Sequence, residues 1–326
     1  MAVTLNIFDS KATSEGPETN ETDRNSMGGT EIMKYGLHNR LDKDLLSNFQ
    51  IICSRVREIN PNKKIIYWLH DLPGDPESEH LKNQGWKRFD KLVFVSNWQL
   101  ENYSKHYGIP YSKCVVLQNA IEPIGTHDKD FTGRIKLMYH STPHRGLDLL
   151  VAVFQKLCEM FDNIELDVFS SFAIYGWKER DEPFKKVFDV CKSHPKINYF
   201  GSVSNEEIRQ ALQRNHIWAY PSIWQETSCM CLMEAMSAGL YCVHPNLAAL
   251  PETAANWTHM YQWDEDPPRH ANKFAANLIQ AIKIVNTEQA QHRIQMTKTY
   301  ADSFYSWEIR KHQWEQMLKG VLNESK

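Results

Sequence analysis

No apolar run in this sequence approaches the roughly 20 residues that a helix needs to cross a bilayer. The opening "MAVTLNIFDSKATSEG" has no basic start followed by an apolar block, so it is not the pattern of a secretory signal. It reads as a strand entering a domain. Paired cysteines or histidines at zinc-ligand spacing are also missing. The seven cysteines (Cys53, Cys114, Cys158, Cys191, Cys229, Cys231 and Cys242) are odd in number and scattered, mostly in apolar runs. That excludes a disulfide framework and a zinc site, and implies reduced thiols in a cytosolic protein. Charge of one sign is lacking too: the formal net charge is -3, so nothing in the balance demands a polyanionic partner. No internal repeat and no low-complexity tract interrupts the chain.

What is there is ordinary globular material. The 326 residues, 42% hydrophobic and 24% charged, suffice for two domains with cores of their own. Short runs rich in Val, Ile and aromatics alternate with longer helical patterns: "VTLNIF", "FQIICSRV", "KKIIYWLH", "KLVFVS" and "KCVVLQN" read as buried strands. "GTEIMKYGLHNRL" and "NWQLENYSKHYG" read as helices between them. Alternation of this kind predicts parallel sheets covered by helices on both faces. Residues 10–26, polar and containing Gly and Pro, read as a mobile loop. The polar stretch "EPIGTHDKDFTG", residues 122–133, is a break, after which the alternation restarts through "RIKLMYH", "IELDVFSS", "INYFG" and "HIWAYPS". The expected architecture is α/β, with two doubly wound Rossmann-like domains facing across a cleft. Residues 1–124 form a short first domain and 125–303 a second, and a helix at 304–326 returns toward the first. Trp307, Ile309, Trp314 and Leu318 of that tail fall near one helical face.

The stretch "PSIWQETSCMCLMEAMSAGLYCV" carries two acids, Glu226 and Glu234, in hydrophobic surroundings. A strand ends just before it, and a helix is expected to start near Thr227 or Ser228 and to close at Gly239. Glu226 then stands at a strand-to-helix corner, aimed into the cleft beside the N–H groups of Thr227, Ser228 and Cys229. Glu234 lies two turns on, where burial without a partner would be costly. Ionised carboxylates are strong acceptors for vicinal hydroxyls, so a polyol ligand would be such a partner.

The spacing Pro-Ser, Glu, seven residues, Glu-Ala-Met, Ala-Gly resembles the nucleotide-sugar motif of retaining GT-B glycosyltransferases of group 1, which include sucrose synthase-like and glycogen synthase-like enzymes. Pro221, Ser222, Glu226, Glu234, Ala235, Met236, Ala238 and Gly239 match it. The resemblance implies that Glu226 holds hydroxyls of the donor sugar and Glu234 the nucleotide ribose. "SMGGTEIMKYGL" is similar to the family's first glycine turn, with Gly28 and Gly29 before a helix to receive a diphosphate. "YWLHDLPGD" ends a strand on His70, as the family's cleft histidine does. "NYFGSVSNEEIRQALQRNHIWAYPS" places the Gly201–Val203 backbone near the base. "MYHSTPHRGLDLL" departs from the pattern. Arg145 stands where many relatives have Lys, and Ser141 or Thr142 takes the earlier basic position. Arg145 keeps one charge with two donors for a phosphate. His144 and Lys178 are candidates for the second.

By that resemblance the chain is expected to be a metal-independent retaining transferase. It moves a sugar from a UDP- or GDP-linked donor to a hydroxyl of a saccharide or glycoconjugate and needs no other cofactor. Its catalytic residues are His70, Glu226 and Arg145. Gly28, Gly29, Ser141, Val203, Thr227, Ser228, Cys229 and Glu234 bind the donor. The site is cytoplasmic, with peripheral contact to a membrane compatible. Two alternatives stand: transfer to hydroxymethylated bases in DNA, and a nucleotide-sugar-binding module without turnover. "KNQGWKRFDK" gives the first domain some basic character, which a solvated face explains equally well. Asp264 and Asp266 of "WDEDPP" have the spacing of metal-binding acids in another glycosyltransferase fold, but their context, before two prolines, reads as a solvated loop.

Overall fold

The computed structural model describes residues 28–125 and 129–324. The expected strand "VTLNIF", the loop at 10–26 and three residues of the expected break, 126–128, lie outside them. The chain divides into two compact units: Gly29–Ala120 joined by the segment from Tyr305 onward, and Ile121–Phe304.

The first unit holds helices α1 (Gly29–Arg40), α2 (Lys43–Leu46) and α3 (Asn97–Tyr107) with strands β1 (Phe49–Cys53), β2 (Lys64–Leu69), β3 (Lys91–Phe94) and β4 (Cys114–Val116). The strands pair in parallel in the order β1-β2-β3-β4. Every residue of β1 is buried, as is all of β2 after Lys64, which is why these strands appear in the sequence as continuous apolar runs rather than as alternation. The Ser96 side chain accepts the Gln99 N–H at the start of α3, and Gly108, at φ 65°, ends it. Tyr67, Phe89, Phe94, Leu100 and Tyr103 pack on one side of the sheet.

The second unit is a six-stranded parallel sheet in the order β10-β9-β8-β5-β6-β7. Its strands are β5 (Ile135–His140), β6 (Ile164–Phe169), β7 (Ile197–Tyr199), β8 (Ile217–Ala219), β9 (Tyr241–Pro245) and β10 (His259–Tyr261). Between them run α4 (Leu147–Leu157), α5 (Lys185–Ser193), α6 (Asn205–Arg214), α7 (Met230–Ser237) and α8 (Leu250–Ala254), followed by α9 (Pro267–Ile284) and α10 (Glu288–Phe304). The chain builds outward from β5 through β6 to β7, then returns to lay β8 on the other side of β5. Strand order therefore reverses between β5 and β8, and in sheets of this kind ligands bind outside the carboxyl ends of the strands at such a point. The stretch before β5 is tied to this unit. Lys298 Nζ donates to the Ile124 and Ser237 carbonyls, both at 2.6 Å, and Lys129 Nζ donates to the carbonyls of Leu212, Gln213 and Asn215 that end α6. Burial pushes the Lys129 ammonium down to about 7.

The tail differs in detail from its sequence pattern. It is two helices: α10 stops at Phe304, and α11 (Trp307–Asn323) restarts behind Ser306, whose side chain accepts the Ile309 N–H. The buried stripe of α11 is Trp307, Arg310, Trp314, Leu318 and Val321. Ile309, expected on that face, is 41% exposed, because two residues after Trp307 is the far side of a helix with 3.6 residues per turn. Trp314 meets the Trp68 ring edge-on at 4.7 Å.

Candidate active site

The crevice between β5 and β8 is built by a turn that only glycine allows. After His140 the chain passes through Ser141 and Thr142 into a 3-10 turn, Pro143–Arg145, and then Gly146 at φ 115°. A Cβ on Gly146 would stand 2.4 Å from the Pro221 carbonyl oxygen, so the turn lies directly on the backbone leaving β8. The Tyr139 hydroxyl donates to the Thr142 carbonyl at 2.8 Å and fixes the other end of the loop.

This packing carries Arg145 to Glu226. Arg145 Nη1 donates to both carboxylate oxygens, at 2.8 and 3.0 Å, and the Tyr220 hydroxyl donates to Oε1 at 2.5 Å. Glu226 is only 5% exposed. Burial alone would lower the basicity of Arg145, but Glu226, with Tyr220 and Tyr175, holds it well above the usual arginine value. Burial keeps the Tyr220 phenol protonated far beyond neutral pH, so it remains a donor. The sequence reading has Glu226 at a strand-to-helix corner, aimed into the cleft to accept from sugar hydroxyls. Here it is also the anchor of a buried ion pair, because the β5 and β8 loops meet at the strand reversal.

The helix after Glu226 also begins later than expected. Cys229 is the N-cap of α7, which starts at Met230, so Thr227, Ser228 and Cys229 form the approach to the helix rather than its first turn. Gly239, at φ 71°, follows its end as expected. The Ser228 Oγ is buried with no hydrogen-bond partner among the described residues. Glu234 projects from the middle of α7 with its side chain 20% exposed. Burial raises its carboxyl to about 7 against the opposing pull of Arg209. His140 Nε2 lies 3.9 Å from Glu234 Oε2.

The sequence profile of the family "Glycosyl transferases group 1" matches residues 132–298, which contain every group of this crevice. The chain belongs to the group 1 glycosyltransferases.

Among relatives of this glycosyltransferase is a phosphatidylinositol N-acetylglucosaminyltransferase chain of Arabidopsis thaliana, 22% identical over 255 residues, covering 75% of this chain and 54% of its own. The gpi3 subunit of the Schizosaccharomyces pombe phosphatidylinositol N-acetylglucosaminyltransferase is 23% identical over 189 residues, covering 56% and 37%. The chain thus spans about a third to a half of the length of these two proteins. The lipopolysaccharide 1,2-N-acetylglucosaminetransferase of Salmonella typhimurium is 23% identical over 295 residues, covering 86% and 73%. The solved glycosyltransferase from Rickettsia africae ESF-5 superposes with a TM-score of 0.66 at 16% identity, covering 94% of this chain and 83% of that one. Alr3699/HepE of Anabaena, solved with UDP and glucose, superposes with 0.66 at 12% identity, covering 89% and 82%. These likenesses establish the GT-B fold of two Rossmann-like domains.

In the glycosyltransferase the other residues singled out by sequence fall in several places. Ser141 is half-buried directly after β5, and Val203 sits on the loop into α6 behind Gly201, at φ 69°. Cys229 is a buried thiol whose ionisation is strongly suppressed by burial. His70 belongs to the first unit, at the carboxyl end of β2. Its ring lies 4.8 Å from Trp68, and burial holds it neutral, down at about 3. Gly29 opens α1, with the buried Gly28 before it. His144, a candidate for the second cation, is held neutral by its surroundings in this structure. Its ring stacks on Phe172 at 5.2 Å and meets Trp224 edge-on at 4.8 Å, and burial with the adjacent Arg145 lowers it to about 4. Lys178 is exposed at the start of a 3-10 turn, Lys178–Phe184. Asp264 is engaged by Lys273 at 2.9 Å and Arg269 at 3.1 Å, and Asp266 caps α9 through the Arg269 N–H. Tyr220 and His140 are not singled out by the sequence. His140 ends β5 and Tyr220 directly follows β8, in almost wholly buried apolar runs where neither periodicity nor spacing marks one residue from the next.

Proposed function

We propose that this chain is a retaining glycosyltransferase that moves a sugar from a nucleoside diphosphate donor to a hydroxyl of a saccharide or glycoconjugate, without a divalent metal. The observation that carries this reading is a group of buried polar atoms that find no partner among the described residues. His140 Nε2 lies at the end of β5, Thr142 Oγ1, His144 Nδ1 and Arg145 Nε lie on the turn after it, and Ser228 Oγ lies on the segment after β8 that carries Glu226. Buried polar groups are almost always hydrogen-bonded, so a row of them around one crevice suits a ligand dense in oxygen atoms. A diphosphate joined to two sugars is such a ligand.

The chemistry requires a diphosphate to leave as an oxocarbenium-like sugar forms. Arg145 uses Nη1 on Glu226, which leaves Nε and the second guanidinium nitrogen for the departing phosphate. Because Glu226 and Tyr220 hold the guanidinium in place, its charge is organised before the reaction begins, and such fixed charge is worth on the order of 3 kcal/mol to the transition state. Glu226 keeps lone pairs for donor-sugar hydroxyls, and Glu234 faces the ribose. His70, neutral, would hydrogen-bond the sugar. No carboxylate is assigned as a covalent nucleophile, and the attack is taken to occur on the face that the diphosphate leaves.

The names of the relatives suggest N-acetylglucosamine as the first sugar to test and a glycolipid as the first acceptor class. Among the described residues no helix is long and apolar enough to cross a membrane. All seven cysteines are free, which suits a reducing compartment. The test is a panel of UDP- and GDP-sugars, including UDP-N-acetylglucosamine, scored for hydrolysis and for a rise in Tm, with the anomeric configuration of the product read by NMR. Retention with one donor is the expected result. An inverted product would overturn the retaining assignment. A Tm rise with no turnover toward any acceptor would favour a binding module.

A further inference from the structure

The geometry points to a role for His140 that the motif does not contain. We propose that His140 is a positioning residue for Glu234: Trp218 fixes its tautomer, so that the imidazole Nε2–H is held for the Glu234 carboxylate in the nucleotide-loaded site. This rests on the reading of Glu234 as the ribose-binding acid.

The tautomer follows from the hydrogen bonds. Trp218 Nε1 lies 3.1 Å from His140 Nδ1, and an indole nitrogen can only donate, so Nδ1 is the acceptor. In a neutral ring the proton then sits on Nε2. Burial holds the ring neutral, down at about 3. His140 therefore presents an N–H dipole and not a positive charge.

That N–H is buried and has no partner among the described residues, and Glu234 Oε2 lies 3.9 Å from its nitrogen. The gap is about 1 Å longer than an N–H···O hydrogen bond. A small rotation of the Glu234 side chain closes it. The other groups facing Glu234 are Arg209 on α6 and the Cys231 thiol on its own helix. Lys298 and Asp302 of α10 meet α7 further on, at Ser237. None of these substitutes for the imidazole as a short-range donor. A hydrogen bond from Nε2 stabilises the charged carboxylate against the cost of its burial and turns its remaining lone pairs toward a diol. Trp218, on the middle of β8, and His140, at the end of β5, are neighbours because those two strands pair, so the relay is built into the strand reversal.

The test measures the affinity of UDP and GDP, and of their 2′,3′-dideoxy forms, by calorimetry between pH 5.5 and 8.5. In the wild type, affinity for the better ribonucleotide should fall as pH drops through the Glu234 ionisation. His140→Phe should move that midpoint upward and weaken binding about tenfold at pH 7, the size expected for a hydrogen bond to a charged group. His140→Gln, whose side-chain amide can reach the same position, should recover most of the loss. Trp218→Phe leaves both other side chains in place and should move the midpoint in the same direction. It keeps the test open if His140→Phe fails to fold. The dideoxy nucleotide should be indifferent to all three changes. An unmoved midpoint in folded His140→Phe or Trp218→Phe, or equal losses in His140→Phe and His140→Gln, would overturn the proposal. Wild-type ribonucleotide affinity in Glu234→Gln is a different result, and it would overturn the ribose assignment beneath it.

Discussion

Arg145 and Glu226 are worth more as a pair than as two site residues. Removing one member leaves the other buried and unmatched, which typically costs about 3–5 kcal/mol. Arg145→Ala should therefore destabilise the protein by roughly that amount, and Arg145→Ala/Glu226→Ala should recover much of the stability, without recovering activity. Urea titrations of the single and double variants give the coupling, and equal stability of all three would show that the pair is not buried in solution. Glu226→Gln keeps the shape but loses the charge, and kcat should fall about 100-fold or more. Turnover near wild type would remove Glu226 from the mechanism. Glu234 is the opposite case, an acid held against its own ionisation. Its folded-state value of about 7 exceeds the ordinary 4.5, so between those pH values the folded protein keeps a proton that the unfolded chain has lost. Stability is therefore present in full below 4.5 and declines as pH rises to about 7. Integrated over that window, the ionised Glu234 costs about 3 kcal/mol as an upper figure. Glu234→Gln should equal the wild type near pH 4.5 and exceed it in stability above pH 7. A pH-independent difference in urea midpoints would contradict this.

At the scale of elements, the turn between β5 and α4 determines whether Arg145 reaches Glu226. Gly146 combines a left-handed φ of 115° with contact against Pro221, so an alanine is strained twice. Gly146→Ala should cost about 1–3 kcal/mol and lower kcat out of proportion, since the turn must lift away from β8. Gly176 supplies the comparison, with φ 73° but nothing within 4 Å of a Cβ. Gly176→Ala should cost only about 1 kcal/mol and leave kcat unchanged. Similar kinetic losses in both variants would mean that the Gly146–Pro221 contact does not position the arginine. The elements themselves are largely legible in the sequence. β1, β2, β5 and β6 are five or six residues long and almost wholly buried, which parallel strands express as unbroken apolar runs. β10 has three residues, His259–Tyr261, too few for any pattern to show. The start of α7 is misread from sequence because Thr227 and Ser228 are good caps by residue type, whereas the backbone turns into the helix only at Cys229.

At the scale of the whole molecule, the proposed metal-independent transfer requires the leaving diphosphate to be neutralised by what the chain itself supplies. Arg145 is a fixed cation in the crevice. The acids of "WDEDPP" are committed elsewhere, Asp264 to Lys273 and Arg269 and Asp266 to the start of α9. Activity should therefore persist in EDTA. Complete loss on chelation, restored by manganese or magnesium, would require a metal in the mechanism and return those acids to consideration.

The sequence by itself determined the alternation of strand and helix, the parallel sheets that follow from it, and the seven-residue spacing of Glu226 and Glu234. Each of these is local: burial on both faces, capping and motif spacing act over a few residues and leave their mark within them. The tertiary structure decided the rest. Arg145 and Glu226 are 81 residues apart and Trp218 and His140 are 78 apart, and nothing near either pair announces the other. They meet because β8 returns to pair with β5 rather than extending the sheet beyond β7. That choice is set by how whole helices and strands pack into one core, a sum over many contacts that no short window of sequence contains. The same return buries Glu226 against an arginine and brings the His140 ring to 3.9 Å from Glu234, so the surroundings of both acids come from strand order as much as from their place in the motif.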